Sequence, residues 1–280
     1  MRQISVKKIQ EAVTQAVGQV NIYLPRDIEE ALNKSLFNEE NERAKNILNI
    51  LLENAKIARE EKMALCQDTG MVAVDIELGQ QVIISDGDIL SAVNQGISDG
   101  YEKYYLRKSV VSCPFERKNT GDNTPAIINI SLFPDDRLVL NIMPKGAGSE
   151  NMGQLAMLKP AEGIQGVKDF VINVVKNASS NPCPPIIVGV GIGGNMEKAA
   201  HLAKKALFRD INTKNNNKEI AVLEQELLSS INALDIGPQG FGGKTTALAV
   251  NAETYPTHIA SLPVAVNIGC HCMRRIRLAF

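Results

Sequence analysis

Tryptophan is absent from the 280 residues and aromatic side chains make up only 4%, so any core must be aliphatic. No apolar run approaches the roughly 20 residues that span a bilayer, which argues against a membrane protein. Neither charge sign is in excess: 30 Lys and Arg face 31 Asp and Glu, for a net charge of −1. That balance argues against a nucleic-acid or membrane partner reached through bulk electrostatics. The first 20 residues lack a signal-peptide core, and the chain reads as cytoplasmic. Cysteine is sparse and odd in number, at five; without an export signal this argues against a disulfide framework. Internal repeats and low-complexity linkers are missing as well. The apolar fraction of 44% is ordinary, enough for one large domain or two modest ones.

The apolar pattern opens on helices. Residues 2–20 repeat apolar positions at helical spacing, from Ile4 and Ile9 through Ala16, Val17 and Val20. Asp27 and Glu30 have capping-box spacing for a short helix through Lys34. Asn38 is placed to cap a long helix whose stripe is Ala44, Ile47, Leu48, Leu51, Ala55 and Ala58. A strand is predicted from Met71 to Leu78 and a helix from about Asp86 to Tyr105; a turn-rich polar stretch, 116–125, then reads as a mobile loop. Ile127–Phe133 and Arg137–Met143, joined by Pro134-Asp135-Asp136, predict an antiparallel hairpin. Further helices are expected over 162–177, from Asn195 onward and over 218–234, with strands at 186–190, after Thr246 and at 262–267. The expected class is α+β: an N-terminal helical lobe, about 1–62, then an α/β portion, about 63–280, of small mixed or antiparallel sheets flanked by helices.

The chemistry gathers elsewhere. Leu65-Cys66-Gln67-Asp68-Thr69-Gly70 sets a thiol beside an amide, a carboxylate and a hydroxyl, on a loop between helix and strand. Cys183 lies between Pro182 and Pro184, which fix its direction. Cys270 follows a strand. Taken singly, each cysteine also fits a small buried apolar residue. Taken together, Cys66, Cys183 and Cys270 suit the metal end of an iron–sulfur cluster. Three thiolates are one short of the four that close an electron-transfer centre, and the iron left open is a Lewis acid. Cys270-x-Cys272 with His271 offers zinc as the alternative, although this is not finger spacing. Cys113 reads as a spare thiol.

Lys145-Gly146-Ala147-Gly148-Ser149-Glu150-Asn151 reads either as a loop that wraps an anion with N–H groups or as a tight turn before a helix. Two other glycine motifs suggest nucleotides. Gly189, Gly191 and Gly194 match G-x-G-x-x-G, but no strand ending in an acid follows at the required distance. Gly243-Lys244-Thr245 resembles a Walker A ending, but Pro238 stands where its first glycine belongs. A nucleotide-binding module using one of these loops is the competing hypothesis.

Five blocks, in order, carry a resemblance across almost the whole chain: Cys66–Gly70, Lys145–Asn151, Asn181–Gly194, Ile236–Thr246 and Val264–Cys270. The chain resembles the α subunit of the class I fumarate hydratase / L(+)-tartrate dehydratase family. The resemblance implies a [4Fe–4S] cluster on Cys66, Cys183 and Cys270 whose fourth iron takes the hydroxyl and carboxylate of a small dicarboxylate substrate. It implies substrate contacts at Gln67, Arg107, Lys145 and Gly146, and catalytic roles for Asp68 and His258. Single-chain members of that family continue into a second domain beyond the position of Cys270. The expectation is therefore a cluster-bearing α subunit completed by a β subunit in an α2β2 or similar assembly, with Cys272, Arg274, Arg275 and Arg277 near the junction. A non-catalytic assembly subunit is the third reading.

Overall fold

The computed structural model describes residues 2–280. In chain order the elements are β1 (Arg2–Ser5), α1 (Val6–Ile22), α2 (Arg26–Asn38), α3 (Glu42–Glu60), β2 (Met71–Gly79), β3 (Val82–Ser85), α4 (Ile89–Lys103), β4 (Ile127–Phe133), β5 (Leu138–Lys145), α5 (Ala147–Glu150), β6 (Gln154–Leu158), α6 (Gly163–Ala178), β7 (Ile186–Gly193), α7 (Met196–Ala206), α8 (Lys218–Asn232), β8 (Ala247–Tyr255), β9 (Leu262–Gly269) and β10 (Ile276–Ala279). The fold is α+β, with one two-stranded and two four-stranded sheets. Among the described residues no helix is long and apolar enough to cross a membrane. The chain divides into two compact units: Met1–Pro25, Ala55–Ala147 and Arg274–Phe280 form one, Arg26–Asn54 and Gly148–Met273 the other.

The first unit is built on the sheet β10-β5-β2-β4. The apolar faces of α1 (Ile9, Val13, Val17) and α4 (Val93, Ile97, Tyr101) share one core with Val72, Val74 and Ile76 of β2 and Leu138, Leu140 and Ile142 of β5. The predicted hairpin is not formed. β2 lies between its two strands, parallel to β4 (Val74↔Ile128) and antiparallel to β5 (Val74↔Ile142). Burial explains the order. Val72, Val74 and Ile76 are no more than 1% exposed and take a central strand, whereas Ile127, Ile130 and Leu132 of β4 stay exposed at the edge. The connection after β4 crosses the end of β2, where Gly79 N–H donates to Arg137 O and Gln80 N–H to Phe133 O.

Three helix starts differ from the expectation. Residues 2–5 leave the helical pattern to pair with β3, and Ser5 caps α1. Asn41, not Asn38, caps α3: its Oδ1 accepts from the N–H groups of Arg43 and Ala44. The Asp27 carboxylate, expected at a cap, sits inside α2 and accepts from Ile211 N–H.

The second unit is built on β6-β9-β7-β8. β7 pairs parallel with β8 and antiparallel with β9. α6 and α8 pack on this sheet through Val171, Val175, Leu227 and Ile231, and α7 packs through Ala199 and Ala203. β8 is an edge strand whose outward groups are taken by side chains. Asn232 accepts from Ala247 N–H and donates to Ala247 O. Five residues on, Glu224 accepts from Ala252 N–H, and Asn215 and Arg209 donate to Ala252 O.

Candidate functional site

In the first unit the site residues converge on one carboxylate. Asp68 Oδ1 accepts from Gly70 N–H at 3.0 Å and pairs with Arg107 Nη2 at 2.8 Å. Its Oδ2 accepts from Ala147 N–H at 2.9 Å. Glycine at position 70 is required twice over. Its φ is +69°, and a Cβ there would lie 2.5 Å from the backbone of Lys145. Cys66 is half-buried, with its Sγ 3.6 Å from Gln67 Oε1, and Gln67 itself is exposed. Arg107 follows α4; its Nε donates to Ser109 Oγ, and Ser109 N–H donates to Asn123 Oδ1 at 2.6 Å. Six of the nine predicted site residues, Cys66, Gln67, Asp68, Arg107, Lys145 and Gly146, thus belong to this unit. Lys145 ends β5 and is buried, and the segment after Gly146 is a short helix rather than an open anion loop. Glu150 on that helix is ion-paired to Lys204 and accepts from Asn267 Nδ2.

The second unit carries Cys183, His258 and Cys270. Cys183 has a φ of +55° between its two prolines and is exposed. Its carbonyl accepts from His271 N–H at 3.3 Å and faces His271 Nδ1 at 3.0 Å, so the Cys183 and Cys270 loops are stitched together. Gln239 completes the stitch. Its Nε2 donates to Pro184 O at 2.8 Å and lies 3.1 Å from His271 Nδ1. Neither His271 nor Gln239 was legible as a tie between the two cysteine loops, because their positions are 88 and 56 residues beyond Cys183. His258 lies exposed between β8 and β9, and its Nδ1 accepts from Ala260 N–H at 3.1 Å.

The donor chemistry fits an iron–sulfur group. Cys66, Cys183 and Cys270 lie on loops outside any disulfide, two half-buried and one exposed, and soft thiolates suit such clusters. Among the described residues no three His, Cys, Asp or Glu side chains are grouped to hold a single metal ion. A cubane binds each cysteine through a different iron, so one-metal grouping is not what it needs. The zinc alternative does need it. Cys270 and Cys272 have their sulfurs 3.5 Å apart, but the His271 ring turns to the Cys183 carbonyl.

The nucleotide loops are accounted for by packing. A Cβ on Gly189 would stand 2.2 Å from Ala203 O, and one on Gly191 2.1 Å from Ala199 O. These glycines let α7 lie against β7. In the other loop Gly242 N–H donates to Ile236 O, Gly243 N–H to Asp235 Oδ1 and Lys244 N–H to Glu39 Oε2. Lys244 Nζ pairs with Glu40 at 2.6 Å. Those N–H groups are committed to the protein, not to a phosphate.

Residues 10–279 match the family described as Fumarate hydratase (Fumerase). A Methanocaldococcus jannaschii protein under the provisional name L(+)-tartrate dehydratase subunit alpha is 44% identical over 274 residues, covering 96% of each chain. The L(+)-tartrate dehydratase subunit alpha of Escherichia coli K12 is 31% identical over 278 residues, covering 98% of this chain and 91% of that one. With a family match from Gln10 in α1 to Ala279 at the end of β10, and relatives aligned nearly end to end, this chain belongs to the fumarate hydratase (Fumerase) family.

Proposed function

We propose that the chain is the α subunit of a [4Fe–4S]-dependent hydro-lyase that reversibly dehydrates a 2-hydroxydicarboxylate, malate to fumarate in the first instance and L-tartrate to oxaloacetate in the second. The observation that carries this reading is the Asp68 carboxylate, engaged by Arg107 and two backbone N–H groups two residues from Cys66. Cys66, Cys183 and Cys270 would hold the cluster, which, bound through three thiolates rather than four, supplies one Lewis-acidic iron.

The protein's own groups do the rest. Arg107 is half-exposed and held in direction by Asp68 and Ser109, so it can form charge-assisted bonds to a substrate carboxylate. Gln67 adds an exposed amide beside it, and Lys145 and Gly146 form the neighbouring wall. A carboxylate has about four acceptor positions. The three bonds to Asp68 leave one on Oδ2, which can exchange a proton with the substrate hydroxyl. His258, through Nε2, is the second proton carrier. In the elimination the C–O bond breaks, hydroxyl leaves with a proton as water, and a proton leaves the neighbouring carbon. The base for that carbon is assigned to a β subunit, in keeping with relatives named as subunit alpha.

Anaerobic reconstitution with iron and sulfide tests the assignment. Serine in place of Cys66, Cys183 or Cys270 should abolish the brown colour and iron retention, whereas Cys113→Ser and Cys272→Ser should keep both. With a β subunit added, the reconstituted pair should turn over malate or tartrate. Full iron retention by any of these three serine variants, or a colourless wild-type chain, would overturn the reading.

A further inference from the structure

The loop from Cys66 to Gly70 belongs to no helix or strand, so its backbone must find partners elsewhere. It finds them among side chains buried inside the first unit. Arg274 Nη2 donates to Asp68 O at 2.8 Å. Tyr101 Oη donates to Thr69 O at 2.5 Å and faces Gly70 O at 3.1 Å. Asn123 Nδ2 donates to Gly70 O at 3.0 Å. Three successive carbonyls are therefore turned inward onto three fixed donors. The loop's leading edge is held as well: Arg274 Nη1 donates to Asn21 Oδ1 at 3.2 Å, and the Asn21 carbonyl accepts from Leu65 N–H at 2.8 Å.

The investment is unusual for a loop. Asn21, Tyr101 and Asn123 are fully buried and Arg274 is 2% exposed. Burying a guanidinium costs more than filling the same space with apolar side chains, and fold stability alone does not call for it. Burial also pushes the Tyr101 phenol far up, so it remains a donor at any ordinary pH. The arrangement fixes where Cys66, Gln67 and Asp68 stand while leaving Gln67 exposed and the other two half-exposed.

We propose that Arg274 is a positioning residue for the Cys66 thiol, acting with Tyr101 and Asn123 through the carbonyls of residues 68–70. This rests on the reading of Cys66 as a cluster ligand. Groups that orient metal ligands typically cost about 10–100-fold in metal affinity when removed. Two measurements on the full chain test the proposal. In the iron-free protein, Arg274→Met should speed amide hydrogen exchange in a peptide covering 64–71 by roughly tenfold or more, with exchange in α1 and α4 unchanged. After anaerobic reconstitution, the same variant should lose iron to a chelator about tenfold faster than wild type, and Arg274→Lys, which reaches only one acceptor, should fall between. Tyr101→Phe keeps the ring's packing and should repeat both effects should Arg274→Met prove insoluble. Unchanged exchange in the loop, or an equal rise throughout α1 and α4, overturns the proposal. Because exchange is read without iron, a wild-type chain that takes up no iron overturns the cluster reading alone and is told apart from a failure of the clamp.

Discussion

Gly191→Ala separates packing from nucleotide binding at the G-x-G-x-x-G motif. The added Cβ would stand 2.1 Å from Ala199 O and 2.5 Å from Ala203 N. Both are backbone atoms in the middle of α7, so no side chain can rotate out of the way. Ordinary contact begins near 3.4 Å, and α7 must retreat by roughly 1.3 Å. Ala199, Leu202, Ala203 and Ala206, all 6% exposed or less, would lose contact with the sheet together. Overpacking costs about 1–3 kcal/mol, and a backbone collision belongs at the upper end, ~3 kcal/mol. With a urea slope of about 1–3 kcal/mol/M, the unfolding midpoint followed by circular dichroism should fall by ~1 M or more. Gly148→Ala is the control: its Cβ would meet only Asn181 O, at 3.7 Å, so its midpoint should move by less than about 0.5 kcal/mol equivalent. Titration calorimetry with NAD or ATP should show no heat for wild type or variant. A Gly191→Ala protein as stable as wild type that had lost a nucleotide signal would refute the packing argument and restore the dinucleotide reading.

Asp68→Asn keeps the size of the side chain but turns an amide NH2 toward one of its three donors; activity of the reconstituted pair should fall about 10²–10⁴-fold while circular dichroism is unchanged, and near-normal turnover would remove Asp68 from proton transfer. Glu224→Ala removes one of the two carboxylates paired with Arg209, leaving Glu253, and strips the acceptor from Ala252 N–H; a loss of about 1–3 kcal/mol is expected in urea unfolding, and no measurable loss would show that the network relaxes. The Cys113 thiol is held below the usual range by the N–H groups of Glu116 and Phe115. Thiolate forms above the folded value, so Cys113 should alkylate at a lower pH than a free cysteine, and the advantage should vanish in urea; equal pH profiles for the folded and unfolded chain would contradict it.

Much of the fold was legible because its signals are local. The apolar stripes of α3, α6 and α8 and the alternation in β4 repeat within a dozen residues. What failed were pairings decided at long range. Ile127–Phe133 and Leu138–Lys145 look like neighbours in sequence, yet the more buried β2 outcompetes each for the other. β10 reads as a charged tail until Leu278 meets Leu140. The same division runs through the site. Residue type and company marked Cys66, Gln67 and Asp68, and the flanking prolines marked Cys183. Asn21, Tyr101 and Asn123 carried no mark, because each sits in an unremarkable helical or loop context and acquires meaning only by facing the Cys66 loop from behind. Arg274 was expected near a junction with a partner; at 2% exposure it is interior instead.

The treatment of β8 has a consequence for how the chain meets copies of itself. An unguarded outer strand is a template on which a second molecule can extend the sheet, the first step of fibrillar association. Here Asn232 occupies one end of that template, and Glu224, Asn215 and Arg209 occupy the other. An incoming strand would have to displace amide and carboxylate groups already seated in its place. Loss of Asn232 or Glu224 should therefore show itself first as concentration-dependent aggregation on warming, before any change in the secondary structure of the dilute protein.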